Sequence, residues 1–131
     1  MPTTSLYAAF LSLVFVALSI RTIRTRRRQK IAIGDAGDVT MLRAIRVHAN
    51  FAEYVPLSLV LIYLVEVASA SPRLVHGLGL SLVVGRLSHA YGVSQLKESF
   101  GFRVTGMALT LTTIVACSAI LLYLYIKYSV T

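Results

Sequence analysis

Apolar residues dominate four stretches of the chain, and short polar segments separate them. The first stretch, residues 2–20, and the last, residues 104–126, contain no charged side chain. A helix of about 20 mostly apolar residues crosses the roughly 30 Å of hydrocarbon in a bilayer, so both stretches are long enough to span it. The two middle stretches have similar lengths but carry polar residues within them. The pattern predicts helices at about residues 3–22, 41–68, 72–92 and 103–127.

The composition is also that of a membrane protein. Apolar residues make up 56% of the 131 positions and charged residues only 14%, against about 25% charged residues in ordinary soluble domains. Four spans and their connections use almost the whole length, which leaves little room for a soluble domain. We therefore expect an all-α membrane protein, with one domain over residues 1–131 built as a bundle of four transmembrane helices.

The segments between the predicted helices contain residues typical of turns and helix caps. IAIGDAGD, residues 31–38, has the glycines and aspartates of a loop, and Asp38 or Thr40 is suited to cap the second helix. Ser71 is suited to the N-cap of the third helix and Pro72 to its first position. VSQLKESFGF, residues 93–102, is the next polar loop.

The cationic residues predict an orientation. Most of them fall on one side of the predicted bundle: Arg21, Arg24, Arg26, Arg27, Arg28, Lys30, Arg43, Arg46, Arg86, Lys97 and Arg103. Only Arg73 and Lys127 fall on the other side. Because positively charged loops stay in the cytosol, we expect both polar loops there and both termini outside. The first segment is not a cleavable signal peptide by pattern, since its basic residues follow the apolar run.

The basic tract RTIRTRRRQK, residues 21–30, is interpreted as an anchor held against anionic membrane lipid. No nucleic-acid recognition module accompanies it, so we expect no nucleic-acid partner. Arg24, at the end of the first span, is the member of the tract best placed to reach inward to a ligand.

A polar stripe interrupts the second helix in the sequence RAIRVHANFAEYVP, residues 43–56. At about 100° per residue, four polar side chains fall within about 80° of one another: Arg43, Arg46, Asn50 and Glu53. His48 points elsewhere. Uncompensated charge in hydrocarbon is unfavourable, so we expect the stripe to face the bundle interior.

The third helix carries a charge at the matching depth. Glu53 and Arg86 each lie about 20 Å, or thirteen residues, from the charge that marks the outer end of their helix. Those two charges are Glu66 and Arg73. In an antiparallel hairpin, Glu53 and Arg86 are therefore expected to lie level, and Glu53 is expected to pair either with Arg86 or with the ammonium group of a ligand. The third helix also has small residues on one face, which predicts close helix packing: Gly77, Ser81, Gly85, Ser88 and Gly92.

Positive charge exceeds negative charge on this half of the predicted bundle. Glu53 faces four arginines: Arg43, Arg46, Arg86 and Arg103. A surplus of buried positive charge favours an anionic ligand. We expect a soluble metabolite that enters from the cytosol and is held by charge-assisted contacts. The alternative is an ion-pair network that fixes the packing of the second and third helices and binds no ligand.

Two motifs resemble a known family. The pattern Arg-x-His-x-Asn-x-x-Glu-Tyr, from Arg46 to Tyr54 and followed by Pro56, resembles the second-helix signature of the MAPEG family, the membrane-associated proteins in eicosanoid and glutathione metabolism. GRLSHAYG, residues 85–92, resembles the family's third-helix motif. The likeness covers nearly the whole chain and is greatest to small bacterial members similar to microsomal glutathione transferases. It implies a homotrimer in a bacterial inner membrane, with glutathione sites between neighbouring subunits near the cytosolic face.

The resemblance also implies roles for individual residues. Glutathione would be bound by residues of the first three helices: Arg24, Arg46, Asn50, Glu53, Tyr54, Arg86 and His89. Arg103, after a one-residue shift in the preceding loop, matches the family arginine that points at the glutathione sulfur. Val93 and Val104 depart from a tyrosine and a serine of some members, which argues against a specialised eicosanoid synthase.

The implied activity is that of a glutathione transferase that could also act as a peroxidase. A nearby guanidinium can lower the pKa of a thiol by about 1 to 3, so Arg103 would increase the fraction of glutathione thiolate. A lipophilic electrophile or a lipid hydroperoxide would reach the site from the membrane.

The alternative function is non-catalytic. The chain would then be a membrane protein that binds glutathione or another anion, or one whose polar residues only organise assembly. A transporter component is less favoured because inverted repeats are absent.

Other candidate chemistry is limited. Cys117, alone in the middle of the fourth helix, is interpreted as a buried structural thiol. His48 and His76 have no second metal ligand at a suitable spacing, so no metal is expected.

Overall fold

The computed structural model describes residues 1–68, 70–97 and 99–129, and within these ranges the regular structure is entirely α-helical. The helices are α1 (Thr3–Gln29), α2 (Val39–Val67), α3 (Pro72–Ser94) and α4 (Phe100–Ser129). At about 1.5 Å per residue, α1, α2 and α4 are each about 40 Å long or longer, which exceeds the thickness of a bilayer's hydrocarbon core.

α1 is longer than expected. It continues through the basic tract to Gln29 instead of ending near residue 22. Arginine and glutamine favour helix, and neither glycine nor proline occurs between Thr3 and Lys30. Cations in the last turn also interact favourably with the negative end of the helix dipole. The predicted boundary was therefore wrong, because a basic tract marks where a span leaves the membrane and does not require the helix to end there.

The predicted caps are confirmed where the structure describes them. The Asp38 side chain accepts a hydrogen bond of 2.6 Å from the backbone N–H of Met41 and caps α2. Ser71 accepts one of 3.3 Å from the N–H of Leu74, and Pro72 occupies the first turn of α3. Ser69, the first residue of the expected tight connection, lies outside the described residues.

The N-terminus of α1 is capped by another helix. Pro2, at the N-cap position, provides no side-chain hydrogen bond. The Glu66 carboxylate accepts hydrogen bonds from the N–H groups of Thr3 and Thr4, the latter at 2.9 Å, and from the Thr4 hydroxyl at 2.6 Å. A carboxylate satisfies the exposed N–H groups and the positive dipole of a helix N-terminus. This contact therefore holds the start of α1 against the end of α2.

α2 and α3 form the centre of the bundle. α1 and α4 each pack against both of them, and α1 and α4 do not contact each other within the described ranges. All four helices contribute to the buried apolar core: Leu11, Phe51, Val55, Ile62, Val65, Val75, Leu78, Leu82 and Cys117. Cys117 is fully buried, as predicted for a structural thiol.

α3 and α4 approach closely through glycine. A Cβ on Gly92 would lie 2.7 Å from the backbone nitrogen of Arg103, and a Cβ on Gly106 would lie 2.6 Å from the carbonyl oxygen of Gly85. Only glycine permits this backbone separation. The predicted small-residue face of α3 is confirmed at Gly85 and Gly92, whereas Gly77 is exposed and a Cβ there would meet no atom within 4 Å.

Large apolar side chains cover the outside of the bundle. Each helix presents at least one that is more than half exposed: Leu13 at 71%, Val60 at 54%, Leu80 at 55% and Val115 at 66%. An apolar surface of this extent is unusual in water and is suited to lipid. Among the described residues, α1, α2 and α4 are long and apolar enough to cross a membrane. α3 is more polar, but its partly apolar outer face and its place beside α2 and α4 make it part of the same bundle.

The close α3–α4 contact predicts that replacing two different glycines by alanine has different effects on stability. Gly106→Ala places a methyl group against the backbone of Gly85 and His89, which cannot move without separating the helices. We expect it to lower stability by about 1 to 3 kcal/mol, as overpacking does, measured by thermal unfolding in detergent. Gly77→Ala is the matched control, and we expect it to leave stability unchanged or slightly increased. Equal melting temperatures for the two variants would contradict the packing described.

Candidate functional site

A pocket of about 260 Å³ lies where α2 begins, α3 ends and α4 begins. Its described lining residues are Val39, Leu42, Arg43, Arg46, Asn50, His89, Val93 and Arg103. Arg46, Asn50, His89 and Arg103 were each predicted as site residues from sequence. The fold therefore brings residues of three helices, up to 64 positions apart in the chain, to one pocket.

The pocket is cationic. Three guanidinium groups line it, from Arg43, Arg46 and Arg103, and none of its described lining residues is acidic. Arg46 is exposed, and its side chain forms no hydrogen bond or ion pair with the described part of the chain. Its five N–H donors are therefore available to a ligand.

Arg43 is a residue of this pocket that was not assigned as a ligand from sequence. Its Nη1 donates a hydrogen bond of 3.0 Å to the carbonyl oxygen of Val93, near the end of α3. Its Nε is buried and has no hydrogen-bond partner among the described residues. Arg21 donates in addition to the hydroxyl of Ser94. Arginines of α1 and α2 thus bind the C-terminal end of α3, which has no basic residue in its own last turn. The position of Arg43 on the polar stripe was the available sequence signal.

Arg86 is buried next to the lining residue Asn50 and does not itself line the pocket. It is only 1% exposed, and its Nη2 donates a hydrogen bond of 2.8 Å to Oδ1 of Asn50. Its guanidinium carbon lies 5.7 Å from the centre of the Tyr54 ring, a cation–π contact. Its Nη1 lies 4.0 Å from the sulfur of Met107 on α4. Arg86 therefore orients Asn50, which lines the pocket, and packs on Tyr54, which does not.

The predicted pairing of Glu53 with Arg86 was wrong. Glu53 is exposed and forms no ion pair with the described residues, while Arg86 contacts Asn50. Equal depth in the hairpin is not sufficient for contact, because the rotation of α2 decides which side chains face α3. α2 buries Phe51 and Val55, and at about 100° per residue this turns Glu53 to the opposite face.

One further predicted site residue, Arg24, lies outside the pocket, and His48 points where expected. Arg24 is exposed on α1 and does not contribute to the pocket, so a single chain does not bring it to the other site residues. Arg46 and Glu53 were expected to face the bundle interior and are exposed instead. Of the two, Arg46 lines the pocket and Glu53 does not. His48 points away from the pocket, as predicted: its Nε2 lies 2.9 Å from the Ser19 hydroxyl and its ring stacks on Phe15 of α1.

The family model of the MAPEG family matches residues 4–123, which is nearly the whole chain. The chain belongs to the MAPEG family. Relatives of this MAPEG chain include the inner membrane protein YecN of Escherichia coli strain K12 and that of Escherichia coli O6:H1 strain CFT073. Each is 36% identical over 107 residues, which cover 82% of this chain and 80% of the relative. The predicted family is confirmed, and membership agrees with the apolar outer surface in identifying an integral membrane protein.

The contact between Asn50 and Arg86 leads to a stability prediction. Asn50→Ala removes the hydrogen-bond acceptor of a buried guanidinium, and we expect a loss of about 1.5 to 3 kcal/mol in ligand-free detergent solution. Replacing both partners, as in Asn50→Leu with Arg86→Met, removes the buried charge and should recover part of that loss. Thermal unfolding of Asn50→Leu, of Arg86→Met and of the double variant measures the coupling between the two side chains. Additive losses would show that the two side chains do not interact.

Proposed function

We propose that this protein is a membrane-embedded glutathione transferase that binds glutathione in the cationic pocket between α2, α3 and α4. The observation that carries the proposal is the convergence of Arg43, Arg46 and Arg103 on one pocket, beside Asn50 and His89. Glutathione has two carboxylates and one ammonium group, so it carries net negative charge. Guanidinium groups form charge-assisted and often bidentate hydrogen bonds with carboxylates. The excess of cations at this end of the bundle supports a cytosolic opening, with both termini on the other side.

The pocket of a single chain is small for this ligand. Its volume of about 260 Å³ is below the roughly 300 to 1,000 Å³ typical of small-molecule sites. Glu53 is exposed on the bundle surface about 20 Å along α2, where a carboxylate facing lipid is unfavourable. A neighbouring copy of the chain would enlarge the pocket and would shield Glu53 from lipid. We propose a homotrimer in which Glu53 binds the ammonium group of glutathione and Arg24 of an adjacent subunit approaches one of its carboxylates.

Arg103 is proposed to act on the sulfur. A free cysteine thiol has a pKa of about 8.5, and a guanidinium within hydrogen-bond distance favours the thiolate. Ionisation of the thiol releases its proton to water. The thiolate then forms a bond to the electrophilic carbon of an apolar second substrate, and the leaving group departs with the bonding electrons. That substrate would enter from the lipid, which the apolar surface of the bundle adjoins.

A non-catalytic role is the second candidate. Arg43 donates to the backbone of α3 and Arg86 to Asn50, so part of the polar stripe holds α2 and α3 together. A protein that binds glutathione or another anion without activating it would use the same pocket. The two candidates differ in turnover: the transferase forms a conjugate with an apolar electrophile, whereas the binding protein does not.

Arg103→Ala tests the proposed activity. We expect conjugation of glutathione to a chromogenic electrophile to fall at least about tenfold at neutral pH, because the thiolate loses its stabilising cation. Glutathione affinity should change much less, since Arg43 and Arg46 remain. The matched control is Arg73→Ala, which removes an exposed arginine at the opposite end of α3 and should leave turnover unchanged. Unaltered turnover in Arg103→Ala would refute the assignment.

A further inference from the structure

A second basic surface lies at the end of α1, apart from the cationic pocket between α2, α3 and α4. It is a groove of about 410 Å³ whose lining residues are Ile23, Arg26, Arg27, Lys30, Ile31 and Ala32. Three cationic and three apolar side chains therefore share one concave surface. The groove and the cationic pocket share none of their described lining residues.

The position of the groove along α1 matches the boundary between hydrocarbon and headgroups. Ile23 lies twenty residues after Thr3, about 30 Å along the helix, which equals the thickness of a typical hydrocarbon core. Arg27 lies about 6 Å further along. Ile23 is thus level with the part of the acyl chains next to the headgroups, and Arg27 is level with the phosphates.

Arg26 shapes the groove. Its Nη1 donates to the carbonyl oxygens of Ile31, Ala32 and Gly34 at 3.4, 3.3 and 3.0 Å. These contacts fold the segment after α1 back across the end of the helix and place Ile31 beside it. The side chains of Arg27 and Lys30, in contrast, are exposed and form no hydrogen bond or ion pair with the described residues.

Lys30 ends α1 in an uncommon backbone conformation. Lys30 is the C-cap of α1 and has φ 54° and ψ 36°, the left-handed conformation. Glycine or asparagine usually occupies the left-handed residue at a helix end because a Cβ is unfavourable there. Lys30 nevertheless occupies this position, and its side chain lines the groove.

We propose that this groove binds the headgroup of an anionic phospholipid, with Arg27 and Lys30 contacting the phosphate and Ile23 and Ile31 contacting the upper part of an acyl chain. A membrane surface attracts any basic segment. We assign the contact specifically to Arg27 and Lys30 and not to Arg28, which is also exposed on the same turn but does not line the groove.

The test measures phosphatidylglycerol binding to the full-length protein in uncharged detergent, by native mass spectrometry. Arg27→Gln, Lys30→Gly and Arg28→Gln each remove one charge. We expect the first two to weaken binding about fivefold each and Arg28→Gln less than about twofold. Lys30→Gly also relieves the left-handed backbone, so its loss of binding cannot be attributed to misfolding. Its melting temperature should not decrease.

Three results would overturn the proposal. An effect of Arg28→Gln equal to that of Arg27→Gln would show diffuse attraction by the whole basic tract. Equal binding of phosphatidylcholine would show that the negative charge of the headgroup is not recognised. Displacement of the lipid by inorganic phosphate at a comparable concentration would show a site for a soluble anion.

Discussion

The buried guanidinium of Arg86 is the constraint on which the candidate site depends. A charged group in the interior of a membrane bundle is stable only with partners that replace water. Arg86 finds them on α2, in the amide oxygen of Asn50 and the ring face of Tyr54. Because both partners lie on one side of α2, the contact fixes the rotation of that helix. Asn50 then lines the pocket and Glu53 points to the outside of the bundle.

The second constraint is the close approach of α3 and α4. Gly92 lies against the backbone of Arg103, and Gly106 against that of Gly85. This approach places the start of α4 beside the end of α3, where Arg103 reaches the pocket formed by α2 and α3. The positively charged pocket is therefore a consequence of helix packing as much as of the polar residues themselves.

Features set by local sequence could be predicted, and those set by the rotation of a helix could not. The caps at Asp38 and Ser71 follow from short-range hydrogen bonding, and helical periodicity grouped Arg46 with Asn50. The pairing of Arg86 depended on which face of α2 is buried, which the depth of a residue in the membrane does not reveal. Arg24 and Glu53 lie on the surface of one chain, so the glutathione contacts proposed for them require a second chain.

The proposed chemistry requires that the cationic pocket bind an anionic thiol and ionise it. The decisive measurement is a titration of glutathione into the purified, detergent-solubilised protein, monitored by calorimetry and by the ultraviolet absorption of the thiolate. We expect saturable binding together with thiolate absorption well below pH 8.5, about the pKa of a free thiol. Saturable binding without thiolate would indicate the non-catalytic role, and the absence of both signals would show that the pocket does not bind glutathione.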